Sequence, residues 1–96
     1  MFDKAKNLYK LQKQARQIKK DLKKTHIEAE QDGVKVIVNG EQEVMEITIS
    51  DEALTDGKKL AKTLEICFNK AVKKSQQVGA ERMKEVMGDM NLPGLG

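Results

Sequence analysis

The sequence predicts an α+β fold, a two-layer α-β-β-β-α order in which two long helices flank a three-stranded antiparallel meander. Three observations predict it. Residues 2–24 contain no Gly or Pro and are dominated by Lys, Gln, Leu and Ala. Residues 25–50 alternate apolar and polar side chains and are broken by Asp32-Gly33 and Asn39-Gly40. Residues 51–88 return to helical spacing.

The first stretch is built from good helix formers, and Asp3 suits a helix N-terminus. Leu8, Leu11, Ala15, Ile18 and Leu22 recur at alternating spacings of three and four, which gathers them on one narrow seam for contact with another helix. In the middle stretch Ile27 and Ala29 alternate with His26, Glu28 and Glu30. Val34, Val36 and Val38 alternate with Lys35, Ile37 and Asn39, and Met45, Ile47 and Ile49 with Val44, Glu46 and Thr48. Asp32-Gly33 marks a turn, and Asn39-Gly40 is a strong hairpin signal. Ser50 or Asp51 caps a short turn ending near Gly57. A second helix follows from about Lys58 to about Met87, with Leu60, Leu64, Cys67, Phe68, Ala71, Ser75 and Val78 as its buried stripe. Gly79 is a weak point within it, and residues 89–96 read as a flexible tail.

A chain of 96 residues allows one domain, expected to span 1–96. With no Trp, one Tyr and two Phe, its core must be aliphatic. A single cysteine, Cys67, leaves no disulfide framework and no cysteine-based zinc site. No signal peptide and no membrane-spanning run is visible. A reducing, cytoplasmic setting is expected, with no membrane partner.

Helices of about 23 and 30 residues outrun strands of about 20 Å. Their apolar stripes continue past the sheet at Leu8, Leu11, Val78 and Met83. A second copy that covers them removes an aggregation liability, so a homodimer is expected. Leu8, Leu11, Ala15, Ile18, Leu64, Phe68 and Ala71 form its expected core and dimer seam.

The net charge of +3 hides an asymmetry: residues 1–24 carry +7 and residues 25–96 carry −4. On the first helix Lys6, Lys10, Lys13, Lys20 and Lys24 fall opposite the seam, with Arg16 and Lys23 beside them. Lys4 and Lys6 sit near the N-terminus, where the helix dipole disfavours cations. Stability alone would place acids there, so the face suits an anionic partner. A weaker basic face gathers Lys59, Lys62, Lys70, Lys73 and Lys84 on the second helix, while Arg82 lies nearer its apolar side. Lys4, Lys6, Lys10, Lys13, Arg16, Lys20, Lys73 and Lys84 are the candidate contacts. Straight lysine stripes favour phosphates over base edges, and they do not separate duplex DNA from RNA. A protein-interaction module, with lysines serving solubility, also fits these residues.

Other candidates are weaker. Phe2, Tyr9 and Arg16, spaced by seven, read as a second packing line before a base-stacking one. His26 has no companion for a metal. Glu28 and Glu30 share a strand face without a cleft. Cys67 falls on a buried stripe. No Gly-rich phosphate loop is present. No enzyme activity, cofactor, metal or small-molecule substrate is expected.

Over essentially its full length the chain resembles the YbaB/EbfC family of bacterial nucleoid-associated proteins. The resemblance rests on "LQKQARQI" (Leu11 to Ile18) and the strand pattern Val36, Val38, Asn39-Gly40, Val44, Ile47 and Ile49. It continues through Leu54, Leu60, Leu64 and "FNKA" (Phe68 to Ala71) to "MNLPG" (Met90 to Gly94). It implies a homodimer whose helices project like tweezers and bind DNA in the nucleoid with low sequence specificity, and double-stranded DNA is the expected partner. The projecting helices correspond to the stretch from Lys4 to Lys20 and the one around Lys73 to Lys84. The family's first helix is often rich in Met and Gln, and many members are acidic overall. Here that helix is rich in Lys.

Overall fold

The computed structural model describes the backbone of residues 2–90 and the side chains of residues 7–86. The chain runs α1 (Phe2–Lys24), β1 (Ile27–Gln31), β2 (Val34–Val38), β3 (Val44–Ile49), α2 (Asp51–Leu54) and α3 (Gly57–Met90). The expected α+β meander is present, with strand order β1-β2-β3 and both pairings antiparallel.

The two strand connections differ. Asp32 (φ 43°) and Gly33 (φ 84°) both occupy the left-handed region, and Gln31 pairs with Val34. This is the two-residue primed turn that matches strand twist. Asn39-Gly40 also lies in a hairpin, but the two residues do not form a two-residue turn. The loop runs from Asn39 to Glu43 and is organised by the Asn39 side chain. Its Oδ1 accepts from the amides of Glu41 (2.9 Å) and Glu43 (3.0 Å), and its Nδ2 donates to Glu43 Oε1 at 2.8 Å. The short Asn side chain thus supplies partners that a tighter turn would have taken from the main chain.

A register shift follows. Val38 pairs with Val44 but Ile37 pairs with Glu46, so Met45 has no partner. Strict alternation puts Met45 on the face of Ile47 and Ile49. The bulge instead places Val44 there, opposite Val38.

One sheet face carries the core. Ile27, Ala29, Val34, Val36, Val38, Cys67 and Ala71 are buried, with Leu60, Leu64, Phe68 and Val78 packed against them. Val34, Val36 and Val38 are fully enclosed, each contributing roughly 1.5–3 kcal/mol by burial. The Cys67 thiol lies 3.2 Å from the Ala29 carbonyl, and the Ser75 hydroxyl donates to the Asn39 carbonyl at 2.9 Å. Both buried polar groups therefore have partners.

Two caps set the start of the helical region. Ser50 Oγ accepts from the Ala53 amide at 3.2 Å and opens α2. Asp56 Oδ1 accepts from the Lys59 amide at 3.2 Å and opens α3 one residue later. α3 passes through Gly79 without a break and reaches Met90. The expected flexible tail beyond Met90 lies outside the described residues.

Candidate nucleic-acid interface

α3 packs across β1 and β2. At about 1.5 Å per residue its 34 residues outrun the five-residue strands, and the molecule extends 65 × 24 × 15 Å. α1 enters the sheet at the end where the Asn39–Glu43 loop lies. Ile18 (8% exposed) is its one buried side chain among those described, and Leu22 is half-buried. Toward the N-terminus the seam is uncovered: Ala15 is exposed, Leu11 is 37% exposed and Leu8 64%. Tyr9 is exposed as well. Most of α1 is therefore an arm held at its base.

Lys10, Lys13, Arg16 and Lys20 are exposed along this arm. Among the described residues none of them is ion-paired. The side chains of Lys4 and Lys6, and of Phe2 on the aromatic line, lie outside the described residues. Seven Lys or Arg stand against a single carboxylate, Asp21, over residues 7–24. That carboxylate is occupied, since Asp21 Oδ2 accepts from Arg82 Nη2 at 2.9 Å. Along its described length the arm presents mostly positive charge to an approaching anion.

The basic face of α3 is partly consumed by the fold. Lys70 Nζ donates to Gln31 Oε1 at 2.6 Å, and Lys74 Nζ to the Glu28 carbonyl at 3.0 Å. Lys74 thereby occupies a main-chain carbonyl on the outer edge of β1, and a lysine there guards the edge against pairing with another strand. Lys62 lies 3.6 Å from Glu65. Lys73 and Lys84 are exposed and unpaired among the described residues. Met83 is exposed between the polar groups, whereas Leu64, Phe68 and Ala71 pack into the protomer's own core.

The remaining polar groups sit elsewhere. Residues 25–56 hold nine Asp or Glu and one Lys. Glu28 is 2.6 Å from Lys35 on the open face of the sheet. Asp32, Glu52 and Asp56 line a cleft of about 550 Å³ with Lys59. It lies at the Gly33 end of the strands, opposite the end from which the arm projects. His26 is exposed beside β1, and Cys67 is buried. Among the described residues no cluster of His, Cys, Asp or Glu is arranged to hold a metal, and no helix is long and apolar enough to cross a membrane. Two features escaped the sequence reading. Arg82 serves Asp21 from 61 positions away, and Gly40 seats the base of the arm. No local pattern signals either contact.

The chain is similar to known proteins in sequence and in fold. A nucleoid-associated protein of Thermosynechococcus vestitus is 36% identical over 89 residues, covering 90% of this chain and 77% of the relative. One of Nostoc punctiforme is 34% identical over 98 residues, covering 99% and 85%. The crystal structure of an uncharacterized protein from Helicobacter pylori superposes with a TM-score of 0.59 at 21% identity, covering 92% of each chain, and so shares the fold. The family model described as the YbaB/EbfC DNA-binding family matches residues 1–90, and the chain belongs to that family.

Proposed function

We propose that the chain is a nucleoid-associated protein that binds double-stranded DNA as a homodimer, gripping phosphates between two projecting arms with little regard for sequence. The observation that carries this reading is the arm. Lys10, Lys13, Arg16 and Lys20 are exposed and unpaired among the described residues, while the one nearby carboxylate is bonded to Arg82. Cations held this way can neutralise phosphates and release counterions. Lys4 and Lys6 extend the same stretch in sequence, and Lys73 and Lys84 supply a secondary contact. The acidic sheet and the α2 region repel DNA, which orients the duplex toward the arms.

The homodimer is supported by what the protomer leaves bare. Leu8 and Leu11 on α1 and Val44, Met45 and Ile47 on β3 are 37% to 64% exposed. β1 has its edge closed by Lys74, whereas β3 has an open edge with apolar side chains. A second copy covering these residues buries them. The nucleoid names of the relatives support the same cellular location for this chain. The chemistry is binding, with no catalytic step, cofactor or small-molecule substrate.

The test is a gel-shift titration of duplex DNA across salt. With about four phosphate contacts per arm, log K falls against log salt with a slope of roughly −7. A flat salt response defeats the reading. Preference for structured RNA over duplex DNA at equal salt reassigns the partner.

A further inference from the structure

The arm meets the body at one joint, and its two halves have different character. On one side is a tight seat. The Gly40 amide donates to the Leu22 carbonyl at 2.7 Å. A Cβ at Gly40 would stand 2.6 Å from Leu22 Cδ2 and 3.0 Å from Leu22 Cα. Only glycine lets the loop lie this close to the helix. On the other side is the Asp21–Arg82 pair, which links α1 to α3 beyond the end of the sheet.

Asp21 stands where two effects oppose it. The last turn of a helix favours cations, and a carboxylate there is unfavourable to the helix dipole. A carboxylate on a phosphate-binding arm also weakens attraction to DNA. Its contacts account for its presence. Oδ2 accepts from Arg82 at 2.9 Å and Oδ1 accepts from Gln17 Nε2 at 3.0 Å. Its carbonyl takes the Thr25 hydroxyl at 2.7 Å, which finishes the helix end. Arg82 is steadied in turn by Glu85, 3.5 Å from its other nitrogen.

We infer that the Asp21–Arg82 ion pair is a strut that sets the direction of the arm, so that both residues position the DNA-binding lysines instead of touching DNA. The pair is 39% and 41% exposed, so it adds little to global stability. Its leverage comes from its place. Asn7 lies 14 residues from Asp21, about 21 Å along the helix, so a tilt of about 10° at the base moves that point by about 4 Å. The strut stands on geometry alone, and its role in binding rests on the DNA reading above.

The experiment measures direction and affinity separately. Spin labels at Gln12→Cys on the arm and Asn69→Cys on α3, diluted with unlabelled chain, report the distance within one protomer without DNA. A narrow distribution is expected in the parent. Asp21→Ala and Arg82→Ala each broaden or shift it, and the double variant is no worse than either single one. Distributions unchanged in both single variants overturn the strut. Duplex binding then decides its purpose. On charge alone Asp21→Ala tightens binding, because a negative charge leaves the arm. The strut requires the opposite, a loss of about two- to five-fold, the scale of an exposed ion pair. Tighter binding by Asp21→Ala overturns the role in DNA binding. If the parent itself fails to bind DNA, the DNA reading falls while the distances still decide the strut.

Discussion

The arm and the body solve opposite problems with the same aliphatic vocabulary. In the body Val34, Val36 and Val38 are wholly enclosed beneath α3. In the arm Leu8 and Leu11 occupy an equally regular stripe yet are 64% and 37% exposed. The body's strands bring their own cover, because α3 lies across β1 and β2. The arm has none beyond its base at Ile18 and Leu22. Charge divides along the same line. The arm is lysine-rich with its one described carboxylate tied to Arg82, whereas residues 25–56 hold nine acids and one lysine. The body buries its apolar stripe beneath α3, whereas the arm leaves most of its own exposed. A regular apolar stripe is therefore not by itself a core, since burial depends on what lies opposite.

This division can be broken or sharpened by substitution. The largest effect is expected in the arm. Lys6, Lys13 and Lys20 changed together to Gln reduce the salt slope of DNA binding from about −7 to about −2 and weaken binding at least about a hundredfold at about 0.1 M salt. The thermal midpoint should stay nearly unchanged, because Lys13 and Lys20 are exposed. A large fall in stability would show that the arm's lysines support the fold. Next is Val36→Ala in the core, which removes two methyl groups from a fully enclosed site. A loss of about 2–3 kcal/mol in denaturant unfolding is expected. The folded fraction should keep the parent's salt slope, and a changed slope would mean that core and arm are coupled. The smallest effect belongs to α3. Lys73→Gln with Lys84→Gln should weaken binding only a few-fold and reduce the slope by no more than about 2, the part of it that the arm triple leaves. An effect as large as that of the arm triple would make the two helices equal partners.

Much of the fold was legible because it rests on local periodicity. The alternation of Val34, Val36 and Val38 identifies a strand and its buried face, and Leu60, Leu64, Cys67 and Ala71 identify the face of the long helix. Asp32-Gly33 marks a turn, and the glycine takes the left-handed φ that this turn requires. Asn39-Gly40 signals a hairpin in the same way, with a different outcome. The Asn side chain builds a longer loop, and the Gly is needed because Leu22 lies against it. Local preference announces a hairpin, but a neighbour distant in sequence decides what the glycine does. The same limit applies to the bulge at Met45, since register depends on the loop that precedes it.

For the candidate interface, the sequence by itself determined where the positive charge is concentrated and that it lies opposite an apolar seam. Both follow from composition and from 100° per residue. Only the tertiary structure decided which charges are free. Lys70 and Lys74 have Gln31 and Glu28 as partners, while Lys73, one position away from Lys74, is exposed and unpaired among the described residues. Asp21 reads in sequence as a blemish on a basic helix, and in the fold it meets Arg82 at 2.9 Å. The physical reason is the range of the interactions. Helix faces are set by residues three and four apart, whereas the Asp21–Arg82 pair exists only because folding brings groups 61 positions apart into contact.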